Sequence, residues 1–266
     1  MREELLQKIK QLPPLPESAV RIEAVYQDPH STFDDMVKIL EKDPLLTADI
    51  LKAANSPLYG FSREINSIAQ AVGLFGMGTI RGFALASIVK KSFTLNLAPY
   101  GISNDQFSNL SKNQHILVTN WYLRKDPKLL GILSPAAFLV EIGKALIAQT
   151  VAANGKTELF HNTLKNLGDV EAAERELCGI ETAEVSANIF EHWQFEPALI
   201  HTIRNCADPE QAPDNGLPAQ ILQVVRTAVT LNGSITPESE AKAKTLVETY
   251  GLDLESFENA LAKLKA

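Results

Sequence analysis

Few residues in this chain carry side chains suited to catalysis or to metal binding. The sequence contains five histidines, and its two cysteines are Cys178 and Cys206. A zinc site built from several cysteines is therefore excluded, and any metal site must combine histidine with carboxylates. In an enzyme such a site would hold a divalent ion that activates water or clamps phosphate oxygens.

Four of the five histidines fit positions that need neither a catalytic nor a metal-binding role. His30 and His161 fit predicted turns or loop ends, whereas His192 and His201 fit exposed faces of predicted helices. Other catalytic signatures are missing from the sequence, which contains neither a Gly-x-Ser-x-Gly elbow nor a glycine-rich phosphate loop. Nucleophilic catalysis and P-loop nucleotide binding are therefore not indicated.

Helical periodicity runs through almost the whole chain, without the alternation and hairpin dipeptides of strands. The predicted fold class is all-α. Residues 94–105 lack this periodicity and contain Pro99 and Gly101, which predicts a connection between two packed helical lobes at 1–95 and 105–232. Residues 235–266 are interpreted as a helical extension. Capping residues and periodicity predict helices at 31–42, 43–54, 67–76, 78–89, 107–125, 134–150, 169–178, 182–193, 197–206, 217–231, 237–250 and 254–264.

Charge and hydropathy restrict the environment and the partners. With 25 Lys and Arg against 32 Asp and Glu, the net charge is -7, which disfavours nucleic acid as the main partner. The N-terminus does not show the pattern of a signal peptide, and the most apolar stretch, Ile80 to Val89, is shorter than the roughly 20 residues of a membrane span. We therefore expect no membrane span and a cytoplasmic protein with reduced cysteines.

Three ordered clusters in the first half carry a family resemblance. They are Leu12-Pro13-Pro14-Leu15-Pro16, the segment from Asp43-Pro44-Leu45-Leu46 to Asn55-Ser56-Pro57-Leu58-Tyr59-Gly60, and the segment from Ser67-Ile68-Ala69-Gln70 to Gly78-Thr79-Ile80-Arg81. Together they resemble the HDOD domain, a bacterial signalling module related to the HD superfamily of metal-dependent phosphohydrolases. The resemblance covers about residues 5 to 230 and implies an HD-superfamily-like helical fold.

The resemblance also identifies where an HD phosphohydrolase would hold its metal ions. Its adjacent His-Asp pair matches Val140 and Glu141, and valine has no lone pair to offer a metal. His115 fits the upstream histidine of the family. The remaining family ligand positions match Thr182, Asn205, Cys206 and Arg226.

The loss of ligands implies a non-catalytic HDOD-type signalling protein. Such a protein would act as a regulatory scaffold for a signalling protein or a small ligand, without a cofactor. The alternative is a metal-dependent phosphohydrolase that uses His115, Glu141 and further ligands on a phosphate ester or nucleotide. The scaffold hypothesis predicts a vestigial pocket lined by His115, Val140, Glu141, Thr182, Asn205, Cys206 and Arg226.

Two further surfaces are predicted in the first half. The segment after the helix at 43–54 reads as a helix stop and a turn, and it is also a candidate partner surface, consisting of Asn55, Ser56, Tyr59 and Gly60. A positive cluster is formed by Arg81, Lys90 and Lys91. It is either an exposed helix end or the phosphate contact of a nucleic-acid-binding regulator.

Overall fold

The computed structural model describes residues 1–212 and 216–265, and within them it contains helices and turns but no strand. The predicted all-α class is therefore confirmed. The α-helices are α1 (Arg2–Lys10), α2 (Glu17–Gln27), α3 (Phe33–Leu40), α4 (Pro44–Ala54), α5 (Ile68–Lys91), α6 (Asn104–Tyr122), α7 (Pro127–Leu139), α8 (Gly143–Ala153), α9 (Thr157–Leu167), α10 (Val170–Cys178), α11 (Thr182–His192), α12 (Pro197–Arg204), α13 (Leu217–Ala228), α14 (Pro237–Thr249) and α15 (Leu254–Lys265).

Several helices begin at the capping residues that the sequence indicates. Thr32 and Asp35 form a capping box at the start of α3, and Asp43 accepts hydrogen bonds from the first N–H groups of α4. The predicted break near residue 76 is a kink inside α5, because Gly76 adopts φ 79° and ψ 159° there. The capping chemistry of these segments thus fixes their ends locally.

Other helix predictions were wrong or incomplete. Ser134 and Pro135 lie inside α7 instead of starting a helix, because Asp126 caps α7 one residue before Pro127. Helices α1, α2 and α9 were not predicted, and His161 lies within α9 rather than near a loop end. Helix α1 is short and charged, so its sequence signal is weak, but Leu5 and Ile9 are buried against the rest of the fold.

The centre of the fold is the crossing of α5 and α7. An ideal Cβ atom on Gly78 of α5 would lie 2.4 Å from the Cα atom of Gly131 in α7. The backbones therefore approach closely where both residues lack a side chain. Beyond this crossing, the second half of α5 is buried almost all round, as the apolar sequence from Ile80 to Val89 predicts.

The chain ends pack onto helices that are distant in the sequence. The guanidinium of Arg2 in α1 lies 2.6 Å from the carboxylate of Glu184 in α11, so α1 lies on helices of the region 105–232. In α15, Phe257 is fully buried and its ring centroid lies 4.8 Å from that of Trp121 in α6. The boundaries at 95, 105 and 232 stay predictions, but neither chain end forms a separate layer.

Two helical stretches, Ile68–Lys91 and Pro127–Ala153, are long and apolar enough to cross a membrane by length and composition alone. Their apolar windows are 61% and 89% buried inside the fold. Core helices of folded domains pass the same test, so these stretches are weak evidence for a membrane span. They are longer than the segment from Ile80 to Val89 on which the sequence prediction rests.

Candidate functional site: a buried ion-pair network

Glu141 lies at the centre of the predicted pocket and is 3% exposed. It belongs to the 3₁₀ turn Val140–Ile142 that connects α7 to α8. One carboxylate oxygen, Oε1, lies 2.8 Å from Nε of Arg226 and accepts a hydrogen bond of 3.1 Å from Nε2 of Gln114. The other oxygen, Oε2, lies 2.8 Å from Nζ of Lys144. The carboxylate is therefore held by two cations and one amide.

Lys144 connects this carboxylate to a second buried acid, Glu174 of α10. Its Nζ atom lies 3.3 Å from Oε1 of Glu174 and donates to Oγ1 of Thr182 at 2.9 Å. Glu174 also accepts from the backbone N–H and the hydroxyl of Thr182, at 2.6 and 2.5 Å, and from the hydroxyl of Tyr100 at 2.7 Å. Thr182 begins α11, where the N–H groups and the helix dipole favour a negative charge.

Arg226 extends the network on the other side of Glu141. Its Nη1 atom lies 2.7 Å from the carboxylate of Glu171 and 3.4 Å from the sulfur of Cys206. Cys206 is fully buried, and burial raises the pKa of its thiol to about 12. We call the side chains of Glu141, Lys144, Glu171, Glu174 and Arg226 the Glu141 network.

The central members of the network are charged. Burial alone would raise the pKa of Glu141, but the positive charges of Arg226 and Lys144 outweigh burial and hold this pKa far below its usual range. Burial likewise opposes the charge of Lys144 and of Arg226, yet the neighbouring carboxylates raise the pKa of both groups. Two cations and the carboxylate of Glu141 therefore lie at the centre of the network, in contact with the side chains of Glu171 and Glu174.

The donors at this position do not fit the divalent metal that the HD superfamily implies. The carboxylate of Glu141 is bound by Arg226 and Lys144, whose charges repel a metal ion. Within residues 1–212 and 216–265, no three His, Cys, Asp or Glu side chains are grouped so that they could share a metal ion. No step through a metal is therefore derived from these residues.

His115 contacts aromatic rings instead of the other residues of the predicted vestigial pocket. Its ring is fully buried and stacks on Phe138 with a centroid distance of 3.8 Å, while the rings of Phe83 and Tyr59 lie 4.8 and 6.1 Å away. The neighbouring residue Gln114 reaches Glu141 instead, because successive helical residues point about 100° apart. Burial lowers the pKa of His115 well below its ordinary value.

The structure thus brings together only part of the predicted pocket. Glu141 and Arg226 are in direct contact, and Thr182 and Cys206 contact Lys144 and Arg226. Val140 and Asn205 make other contacts, as does His115. The Val140 side chain is fully buried while its carbonyl accepts from Ser186, and the amide of Asn205 donates to the carbonyl of His201 in its own helix.

A cavity of about 440 Å³ opens beside the network and is lined by Gln114, Glu141, Cys206 and Arg226, among others. Gln114 is 1% exposed, and its Oε1 atom is buried without a hydrogen-bond partner. The wall of the cavity therefore combines the amide of Gln114 with charged groups of the Glu141 network.

Comparison with protein families gives a match to the HDOD domain over residues 12–209. The chain belongs to the HDOD domain family. The matched range contains the first-half clusters and the helices that carry Glu141, Lys144 and Glu174, while Arg226 lies beyond it. The expected family is therefore confirmed.

Solved structures confirm the fold of this HDOD domain. A virulence factor from Campylobacter jejuni is 27% identical, with a TM-score of 0.59 and coverage of 97% of this chain and 95% of that one. A Shewanella amazonensis protein, provisionally assigned as a phosphohydrolase, is 24% identical with a TM-score of 0.71, covering 98% and 93%. A Marinobacter aquaeolei protein, provisionally assigned to signal transduction, is 23% identical with a TM-score of 0.71, covering 96% and 58%.

A curated relative of the HDOD domain extends well beyond the matched region. An uncharacterized protein from Treponema pallidum is 20% identical over 223 residues, which make up 79% of this chain. The match spans only 40% of the length of that relative. The chain thus spans less than half the length of that relative.

The candidate partner surface of the HDOD domain is largely internal. Ser56 and Tyr59 are buried, and Tyr59 packs edge-on against Phe75. The Asn55 side chain accepts from the backbone N–H of Ile65 at 2.8 Å and donates to its carbonyl at 2.9 Å. Of the four residues of the predicted surface, only Asn55 and Gly60 are exposed, and the role of this surface in binding a partner stays a prediction.

Arg81 is not part of an exposed positive cluster, which corrects a second prediction. It is fully buried, and its guanidinium lies 2.5 Å from the carboxylates of both Glu23 and Glu196. It also lies over the ring of Tyr26, 4.2 Å from the centroid. Arg81 therefore joins α2 and α5 to the start of α12, and a phosphate contact at this position is excluded.

Four residues of the site were missed by sequence reasoning. The spacing of Lys144, three residues after Glu141, places both on one helical face and could have identified it. Glu174 carries a weaker signal, since it is a charged residue between the buried Ala173 and Cys178. The missed residues are Gln114, Lys144, Glu171 and Glu174.

Proposed function

We propose that this HDOD domain is a regulatory binding scaffold without phosphohydrolase activity. The proposal rests on one observation: Lys144 and Arg226 bind the carboxylate that replaces the metal-binding aspartate of the HD superfamily. A divalent ion could bind Glu141 only if it displaced the side chains of Lys144 and Arg226. It would then have to compensate the carboxylate charge that these two cations balance.

The buried charges also support a structural role of the former site. Glu141 connects the turn after α7 to α6, α8 and α13, and Glu174 connects α8 to the start of α11. Charged hydrogen bonds of this kind fix the relative register of helices, because any shift leaves a buried charge unpaired. A rigid arrangement of this kind suits a scaffold.

The partner in this proposal is a signalling protein or a small ligand, met in the cytoplasm. The net charge of -7 supports a partner other than nucleic acid. The burial of Arg81 supports the same conclusion, because it removes one of the three cations that a phosphate contact would use.

Turnover measurements test the proposal. Protein purified without chelator is assayed with p-nitrophenyl phosphate, its bis ester and nucleoside phosphates in the presence of Mn²⁺. We expect no turnover above the protein-free rate for the wild type, for Glu141→Gln or for the exposed control Glu158→Gln. Turnover by the wild type that Glu141→Gln abolishes and Glu158→Gln retains would establish the phosphohydrolase alternative instead.

A further inference from the structure

We propose that a groove between α4, α5, α6 and α7 binds an amphipathic carboxylate, a small molecule with an apolar body and one carboxylate group. The inference adds a ligand class to the regulatory function proposed above and rests on it. The groove has a volume of about 520 Å³, within the range of small-molecule sites. We call it the α5–α6 groove.

The floor of the α5–α6 groove is apolar and preformed. Phe83, Phe107 and Phe138 contribute aromatic rings to it, and Leu139 and Ile142 complete the surface. All of these except the half-buried Phe138 are at most 5% exposed, so their positions are fixed by packing in the core. An aliphatic or aromatic body would gain contact there without rearranging the fold.

The rim of the groove carries opposite charges on one side. Asp49 of α4 lies 2.9 Å from Nζ of Lys91 and accepts from the hydroxyl of Ser87 at 2.5 Å. These contacts neutralise the carboxylate of Asp49 within the protein. Asp49 therefore neither attracts a cationic ligand strongly nor leaves Lys91 free for an anion.

Lys90 supplies the charge that selects an anion. Its Nζ atom donates to the hydroxyl of Ser108 in α6 at 2.5 Å, and in the part of the chain that the structure describes it forms no ion pair. Ser111 lines the groove one helical turn further along α6. A cation without an ion-pair partner, with the hydroxyl of Ser108 beside it and that of Ser111 in the same lining, matches one carboxylate.

A ligand in the groove would contact both halves of the chain. Helices α4 and α5 form one wall, and α6 and α7 form the other. Phe83 and Phe138 line the groove and also contact the buried ring of His115, at 4.8 and 3.8 Å between centroids. A ligand bound in the groove would therefore contact Phe83 and Phe138 of the aromatic cluster that joins the two halves. A change in the packing of this cluster is how the ligand would exert a regulatory effect.

Calorimetric titration of the full chain with octanoate and with octan-1-ol tests this inference. We expect one octanoate per chain and about fivefold weaker binding of octan-1-ol, which lacks the charge. Lys90→Gln should weaken octanoate about fivefold and leave octan-1-ol unchanged, whereas the exposed control Lys165→Gln should change neither. Ser111→Leu, which narrows the groove, should weaken both compounds.

Two results would overturn the inference: no octanoate binding by the wild type at about 10 mM, or equal octanoate affinity of the wild type and Lys90→Gln. Lys90 is exposed, so that variant is expected to fold, and thermal unfolding of each variant verifies this. A failed octanoate titration leaves the turnover assay unaffected, so the two proposals can fail separately.

Discussion

The Nε atom of Arg226 lies 2.8 Å from Oε1 of Glu141, and the two side chains are only 9% and 4% exposed. Arg226 lies in the last turn of α13, whereas Glu141 lies 85 residues earlier, in the turn after α7. The contact therefore connects distant parts of the chain, at the position where the resemblance to the HD superfamily implies a metal. Its energetic importance can be measured directly.

Removal of the cation should strongly destabilise the fold. Arg226→Met leaves the buried carboxylate of Glu141 without one of its two cations, which costs about 3–5 kcal/mol in comparable buried pairs. Urea denaturation of both proteins measures the free energy of unfolding. Arg204→Met is the control, because its partner Glu191 is largely exposed, and it should cost about 1 kcal/mol or less. A loss below about 1 kcal/mol for Arg226→Met would contradict the role of the pair.

The buried imidazole of His115 predicts a pH dependence of stability. Burial lowers its pKa well below the ordinary 6.5, so it stays neutral in the folded state while the unfolded state binds a proton. This contribution to stability is complete above pH 6.5 and is lost as the pH falls from 6.5 towards the folded-state pKa.

His115→Leu removes this proton uptake. Between about pH 6.5 and 5, the wild type should lose up to about 1.4 kcal/mol per pH unit more than the variant. Urea denaturation at a series of pH values gives both slopes, and the other four histidines are the same in both proteins. Parallel slopes would show that His115 is protonated in the folded state as readily as in the unfolded state.

The crossing of α5 and α7 predicts that alanine substitutions at two glycines of α5 have opposite effects on the stability of the fold. Gly78→Ala places a Cβ atom 2.4 Å from the backbone of Gly131, which should cost about 1–3 kcal/mol. Gly73→Ala meets nothing within 4 Å and should stabilise the helix by about 0.5–1 kcal/mol. Thermal unfolding of the two variants measures the difference, and equal melting temperatures would contradict the close approach.

Local chemistry allowed much of the helical architecture to be predicted. The caps at Thr32, Asp43 and Ser67 act within three residues, so the sequence displays them directly. The apolar sequence from Ile80 to Val89 predicts a central helix for a similar reason. Helix α1 was missed because tertiary packing, rather than local propensity, stabilises it.

The site was harder to predict because its contacts join distant segments. The family resemblance selected Glu141 and Arg226, which are in contact, but in α6 the structure places Gln114 rather than the neighbouring His115 against Glu141. Arg81 was expected at the surface because a sequence does not show that Glu23 and Glu196 converge on it. Burial of a charge depends on partners that only the fold brings together.

Titration of chelator-free protein with Mn²⁺ by calorimetry tests the central claim most directly, namely that an internal ion network occupies the former metal position. The account predicts no saturable heat up to about 1 mM Mn²⁺ for the wild type and for Glu141→Gln alike. Stoichiometric binding by the wild type that Glu141→Gln abolishes would contradict it, because Lys144 and Arg226 would then have to yield the carboxylate to a metal.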